Sequence, residues 1–363
     1  MKIIHIISTL NIGGAENFVV QLANQQVVDN EVLIVVTGIT NTEENYINHI
    51  DDRIIVHQLQ WLKKYSVKQF FQLNSLIGKL GPNQVFVHLH NPLYYIYGVS
   101  FLKPKLAYIH TIHSSFENWK PILKYLNKLR FINNKILHVC VAKSIYKQLK
   151  QSFPKLRSTY INNGIKSYHA QREPVQIKTF WNSFSIKPQI GQRFLAIGNI
   201  NKHKNYKMLA QSFEQIHAKY PNSMCIHIGN EMDPILSDEL KKINAPNVFL
   251  AGAKNNAADF LSEADALIVS SVQEGMPIVA LEALSMGVPV ITTPAGGLKD
   301  LIINEVNGYL IDDFKASSLT EAIIEYIRLS KDERKALSTN ARVYFEQFYD
   351  ISKVCETYQN KSA

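Results

Sequence analysis

Residues 265–302 read DALIVSSVQEGMPIVALEALSMGVPVITTPAGGLKDLI. The run DALIVSS (265–271) is short, apolar and rich in branched side chains, and VPVITT (288–293) repeats that pattern. Both predict strands. Between them, Pro277 suits the first helical position, where its missing N–H costs nothing. Gly287 suits the residue after a helix cap. The spacing therefore predicts a helix from about Pro277 to Met286. Apolar strand, helix and apolar strand in succession predict a parallel sheet covered on both faces.

Working outward, the same alternation fills the chain. Further strands are predicted at 2–8, 31–37, 53–59, 84–90, 105–111 and 135–142, then at 193–200, 223–230, 247–252 and 307–311. Helical patterns lie between most of them, as at 16–26 and 67–80. Residues 166–190 break the rhythm: they are polar, carry two prolines and lack clean periodicity. A chain of 363 residues suits two domains. We expect residues 1–168 as one domain, 169–190 as a linker with one helix, and 191–340 as a second domain. Residues 341–363 would be a helix returning to the first. The stretch 331–360 is helical in pattern and carries Tyr344, Phe345, Phe348, Tyr349 and Tyr358. The expected fold class is α/β, with two doubly wound parallel-sheet domains facing across a cleft. Ligands of such sheets bind beyond the carboxyl ends of the strands.

Composition narrows the function. A hydrophobic fraction of 46% excludes a disordered chain. Three cysteines, Cys140, Cys225 and Cys355, make neither a disulfide framework nor a zinc site and fit a reducing cytosol. The N-terminal MKIIHIISTLNIGG runs straight into a Gly-Gly turn and reads as a buried strand, not a signal peptide. Charge is uneven. The chain is +9 overall, yet residues 101–170 hold 13 basic residues and one acid, Glu117. No nucleic-acid-binding signature accompanies this charge. Segment 116–135 places Trp119, Ile122, Leu123, Leu126, Leu129 and Ile132 at helical spacing, with Lys120, Lys124, Lys128, Arg130 and Lys135 elsewhere. A basic amphipathic helix of this kind suits an anionic membrane surface, and an ordinary core stripe would give the same pattern.

Chemistry concentrates in the loops after the strands. Glu274 sits just before the helix at Pro277, and Glu282 lies about two turns in. A helix N-terminus favours phosphate, and carboxylates accept hydrogen bonds from sugar hydroxyls. Gly13-Gly14 lacks the G-x-G-x-x-G pattern, which argues against a nicotinamide cofactor. His88 and His110 read as satisfied core histidines. The histidines have no acidic or cysteine partner at ligand spacing, so no metal is expected.

In full context the segment resembles the donor-site signature of the family 4 glycosyltransferases, retaining enzymes of the GT-B fold. The match runs through Ser271, Glu274-Gly275-Met276-Pro277, Leu281-Glu282-Ala283-Leu284, Gly287, Pro289-Val290-Ile291 and Gly296-Gly297. It extends along the chain. Gly13-Gly14-Ala15-Glu16 is similar to the family's glycine-rich loop, His90-Asn91 to its acceptor-side histidine, and His113 to the histidine beside the donor sugar. Asn163-Gly164-Ile165 resembles the turn before the linker, with Lys166 where Asp is usual. Gly198-Asn199 and Lys204-Asn205 resemble the phosphate-binding element, with Asn199 replacing an arginine; Lys202, His203 or Lys207 could compensate.

The resemblance implies retaining transfer of a sugar from a nucleotide diphosphate, a UDP-sugar before a GDP-sugar. The acceptor would be a hydroxyl of a glycan or lipid-linked molecule in bacterial capsule, O-antigen or lipopolysaccharide assembly. The nucleotide sugar is a co-substrate, and no metal or other cofactor is expected. His113 and Glu274 would be catalytic. Gly14, Asn199, Lys204, Gly275, Met276, Pro277, Ile278 and Glu282 would bind the donor, and Gly13, Glu16, His90 and Asn91 would line the acceptor side. The expected location is cytoplasmic, peripheral on the inner face of the membrane through residues 101–170. A nucleotide-sugar epimerase of the same fold, or a non-catalytic partner subunit, are the alternatives; Asn199 and Lys166 speak for the latter.

Overall fold

The computed structural model describes residues 1–41, 45–62, 66–113, 135–184, 191–243 and 245–362. The expected amphipathic helix at 116–135 lies almost wholly outside them. The chain forms two compact units: Met1–Lys166 with Ile351–Ala363, and Ser167–Asp350.

Unit 1 is built on seven strands: β1 (Lys2–Ile7), β2 (Glu31–Val36), β3 (Ile55–Gln58), β4 (Gln84–His88), β5 (Ala107–Ile112), β6 (Ile136–Cys140) and β7 (Ser158–Tyr160). They are parallel, in the order β3-β2-β1-β4-β5-β6-β7. Alternate residues bury opposite faces, as a period of two requires. Ile3, Val32 and Ile34 pack beneath the helices Gly14–Gln26 and Ile351–Ser362. Ile4, Ile6, Leu33 and Val35 share the other face with Leu73 and Ile77 of helix Val67–Leu80, and with Ile96 of helix His90–Leu102. Strand β7 gives no signal in the sequence. It is a half-buried Ser-Thr-Tyr at the sheet edge, formed by pairing with β6 and not by apolar content.

Unit 2 repeats the plan with β8 (Arg193–Ile197), β9 (Met224–Ile228), β10 (Val248–Leu250), β11 (Ala266–Val269), β12 (Val290–Thr292) and β13 (Gly308–Leu310), parallel in the order β10-β9-β8-β11-β12-β13. All the runs read as strands from the sequence form strands. In each unit the strand order reverses beside the first strand, between β1 and β4 and between β8 and β11. Loops at such a switch point diverge to opposite sides of the sheet and leave room for a ligand.

Two expected boundaries move. The one helix expected within residues 169–190 forms, and it belongs to unit 2. Helix Pro174–Ser183 buries Ile177 and Trp181, the Trp181 indole N–H donates to Phe260 O at 3.1 Å, and the Phe180 ring lies tilted against Phe260 with centroids 4.0 Å apart. The sequence looks polar there because only one narrow face is covered. The return to unit 1 starts at Ile351, ten residues later than expected. Helix Lys331–Phe348 buries Leu337, Ala341 and Phe345 within unit 2. Only Tyr358 of the five aromatics noted there joins the unit 1 core. No described helix is long and apolar enough to cross a membrane.

Candidate active site

In unit 2 the side chains collect at the switch point. Beyond β11, Ser271 Oγ donates to Glu274 Oε1 at 2.6 Å, and Lys204 Nζ, from the loop after β8, reaches the same oxygen at 2.6 Å. Two backbone ties hold these loops together: Ser270 Oγ donates to Lys204 O at 2.8 Å, and Val272 N donates to His203 O at 2.8 Å. A third loop locks the first. Gly296 has φ +52°, and a Cβ there would lie 1.9 Å from Glu274 O; next to it, Gly297 N donates to Gly275 O at 2.8 Å. Only glycine lets these two backbones run side by side.

The helix that follows is Ile278–Ser285, with Gly287 at φ +74° beyond its cap. Pro277 is its N-cap in extended conformation and not its first residue, one position from the expected place. No side chain caps this end, so its first N–H groups are oriented for an anion. Met276 is buried. Glu282 is largely buried, and that burial, reinforced by the charge of Asp259, lifts its carboxyl from 4.5 to about 7. Asp259 is a hub absent from the sequence reading. It accepts from Tyr168 Oη and Gln171 N at 2.9 Å and from Arg172 N at 3.2 Å, fastening residues 168–172 beside Glu282.

Asn199 serves the scaffold: its Oδ1 accepts from Asn230 N at 3.1 Å. Of the cations that could replace the missing arginine charge, Lys207 is paired with Glu239 at 3.1 Å, while Lys204 is the lysine that reaches Glu274. The carbonyl of Gly198 is held by Tyr206 Oη at 3.1 Å and His227 Nε2 at 2.7 Å. Neither residue has a sequence signal, because each works through one backbone oxygen.

In unit 1, Gly13 is the extended N-cap of helix Gly14–Gln26. Glu16, in its first turn, has its carboxyl pushed above the ordinary value by burial. A Cβ on Gly14 would meet nothing within 4 Å, and the same holds for Gly275. The packing within each unit therefore does not demand glycine at either position. His113, just beyond β5, lies 3.2 Å from Thr111 Oγ1 through Nε2, and its ring packs at 5.5 Å on Phe18 of the helix that Gly13 caps. The structure thus packs His113 on the helix that the glycine-rich loop opens. His90 and Asn91 open helix His90–Leu102, directly after Leu89 at φ +65°. This unusual backbone is braced by His110 Nε2 on Leu89 O at 3.2 Å, while His110 Nδ1 lies 3.1 Å from His138 Nδ1.

Two family models divide the chain: Glycosyltransferase Family 4 over residues 12–167 and Glycosyl transferases group 1 over residues 180–344. The chain belongs to the family 4 glycosyltransferases, and its fold is GT-B. Among its relatives are two uncharacterized glycosyltransferases of Methanocaldococcus jannaschii. One is 34% identical over 31% of this chain and 29% of that protein, and the other 26% identical over 85% and 84%. The capsular polysaccharide biosynthesis glycosyltransferase CapM of Staphylococcus aureus is 29% identical over 45% of this chain and 44% of its own length. The chain thus spans about a third of the first relative and under half of the last. Among solved structures, Anabaena HepE in complex with UDP superposes with a TM-score of 0.81 at 15% identity, over 99% of both chains.

Proposed function

We propose that the protein transfers a sugar from a nucleotide diphosphate sugar, a UDP-sugar before a GDP-sugar, to a hydroxyl of a glycan or lipid-linked acceptor in bacterial capsule, O-antigen or lipopolysaccharide assembly. The observation that carries this is the cluster of Lys204, Glu274 and Ser271 beside the uncapped start of helix Ile278–Ser285. The naming of CapM, and the UDP held by HepE, support the substrate class.

Departure of a nucleoside diphosphate builds negative charge on its oxygens. The Lys204 ammonium and the N–H groups at Ile278 stabilise that charge, in the place a metal takes in other transferases. Gly275, Met276 and Pro277 line the approach. Glu274 holds donor-sugar hydroxyls, Glu282 holds the ribose, and His113 stands beside the reacting carbon. Gly14 contacts the donor, and Gly13, Glu16, His90 and Asn91 form the acceptor side. The anomeric configuration is retained. The basic stretch 101–170 attaches the protein to the anionic inner face of the membrane.

Thermal unfolding across UDP, GDP, ADP and their sugar conjugates, without added metal, tests the reading. UDP and one UDP-sugar are expected to raise Tm, since ligand at a hundred times Kd adds about 2.7 kcal/mol. No shift with any nucleotide would overturn the donor site and favour the non-catalytic subunit. Sedimentation with vesicles should need anionic lipid and weaken with salt; binding to neutral vesicles alone would refute the membrane contact.

A further inference from the structure

The core of unit 1 buries His5, His88, His110 and His138. His5 on β1, His88 on β4 and Thr111 on β5 are fully buried, and Gln26, at the end of helix Gly14–Gln26, is nearly so. The strands carrying them are neighbours in register, with His5 opposite Phe86 and His88 opposite Thr111. The side chains form an unbroken file. Gln26 Oε1 lies 2.6 Å from His5 Nε2, and His5 Nδ1 lies 2.9 Å from His88 Nε2. His88 Nδ1 then lies 2.6 Å from Thr111 Oγ1, which is 3.2 Å from His113 Nε2.

The chemistry of the first group sets the direction of the rest. A glutamine Oε1 only accepts, so His5 Nε2 carries the hydrogen. Burial keeps both rings neutral: the His5 imidazole is lowered to about 4 and that of His88 well below its ordinary value. A neutral His5 protonated at Nε2 must accept at Nδ1, so His88 donates from Nε2 and in turn accepts at Nδ1. The one hydroxyl hydrogen of Thr111 goes to His88 at 2.6 Å in preference to Val87 O at 3.4 Å. Thr111 is then left to accept from His113 Nε2–H.

We propose that Gln26, His5, His88 and Thr111 are positioning residues: a buried hydrogen-bond relay of one polarity that holds His113 by its Nε2–H and fixes Nδ1 as the ring's acceptor nitrogen. The consequence rests on the transferase reading above. A fixed acceptor nitrogen takes a hydrogen bond from a donor-sugar hydroxyl in every encounter. A ring that exchanges tautomers does so only part of the time, and a misdirected group costs turnover more than binding.

Long-range 1H–15N correlation spectra of the full chain labelled with 15N-histidine read the tautomers without any substrate. His5, His88 and His113 should each show a single Nε2–H form with unaveraged shifts. Thr111→Val keeps the shape and removes the hydroxyl, so His113 shifts should become averaged; Thr111→Ser should restore the fixed form. Gln26→Met, four hydrogen bonds from His113, should loosen it as well. In transfer assays Thr111→Val should lower kcat about tenfold with donor KM within about twofold, and Thr111→Ser should recover it. An Nδ1–H form at His5 or His88, averaging at His113 in the wild type, or a fixed form surviving both Thr111→Val and Gln26→Met overturns the relay. Fixed tautomers with kcat unmoved by Thr111→Val overturn its part in turnover. Absence of transfer from every nucleotide sugar would instead count against the transferase reading, while the spectra still decide the relay.

Discussion

Lys204 Nζ lies 2.6 Å from Glu274 Oε1, so the cation assigned to the diphosphate and the carboxylate assigned to the sugar hold each other. Side-chain exposures of 24% and 12% make the pair reachable by a ligand and only partly screened by water. All of Glu274's hydrogen bonds fall on Oε1, one from Lys204 and one from Ser271.

The two partners should therefore separate in binding experiments. Hydrogen bonds to charged groups are worth about 1.5–3 kcal/mol, so Lys204→Met should weaken UDP binding on the order of tenfold to a hundredfold by calorimetry. Glu274→Gln should bind UDP as tightly as the wild type or more so, because Lys204 is released, while sugar transfer falls at least about a hundredfold. Equal loss of UDP affinity in both variants would show that Glu274 serves the diphosphate and not the sugar.

Gly275 and Gly296 belong to adjoining loops but should fail in different ways. A Cβ at Gly275 meets nothing within 4 Å, whereas one at Gly296 would lie 1.9 Å from Glu274 O at φ +52°. Gly296→Ala should cost about 2–4 kcal/mol in stability through forced backbone movement. Gly275→Ala should leave Tm within about 2 °C and lose UDP-sugar binding. Unchanged binding in a stable Gly275→Ala protein would remove this position from the donor site.

How much of this the sequence carries depends on how each residue acts. Apolar runs and the Glu274–Glu282 segment are visible because their effect is local: a strand buries its own side chains, and a helix start lies next to its own loop. Asp259, Tyr206 and His227 are silent, since each acts through hydrogen bonds that no local sequence pattern marks: Tyr206 and His227 on the Gly198 carbonyl, Asp259 on residues 168–172. Asn199 shows the converse. Its position resembles that of the family's phosphate-binding arginine, yet its side-chain oxygen is used on Asn230 N. His88 is legible as a core histidine, but its place in a file from Gln26 to His113 needs the strand order β1-β4-β5.

Glu282 should make stability fall as pH rises. Its carboxyl is at about 7 in the folded chain against an ordinary 4.5, chiefly by burial and then by Asp259. Below pH 4.5 both states hold the proton and nothing is gained or lost. Between these values the folded state holds it more tightly, and above 7 the buried charge costs its full amount, about 3 kcal/mol. Glu282→Gln should therefore raise Tm at pH 8 and leave it unchanged at pH 4. If the ribose hydroxyls donate to the Glu282 carboxylate, UDP binding near pH 6.5 releases a proton, visible as a buffer-dependent binding enthalpy. A Tm difference independent of pH would show that the carboxyl is not shifted.

Tyr358 should report how far the last helix supports the site in unit 1. Its ring lies 6.2 Å from Phe18 and 5.8 Å from Phe86, and Phe18 in turn packs on His113. The ring is fully buried, yet its hydroxyl has no hydrogen-bond partner among the described residues. The two halves of this side chain should then have opposite effects. Tyr358→Ala removes the ring from a packed core and should destabilise by about 3–5 kcal/mol. Because helix Ile351–Ser362 packs on the helix that carries Phe18, Tyr358→Ala should also slow transfer, through displacement of His113. Tyr358→Phe removes an unsatisfied buried oxygen and should be neutral or stabilising by about 1 kcal/mol. Denaturant unfolding of the three proteins gives both numbers. A Tyr358→Phe variant less stable than the wild type by more than about 1 kcal/mol would mean that the hydroxyl is hydrogen-bonded after all, and that the helix is anchored by a polar contact as well as by its rings.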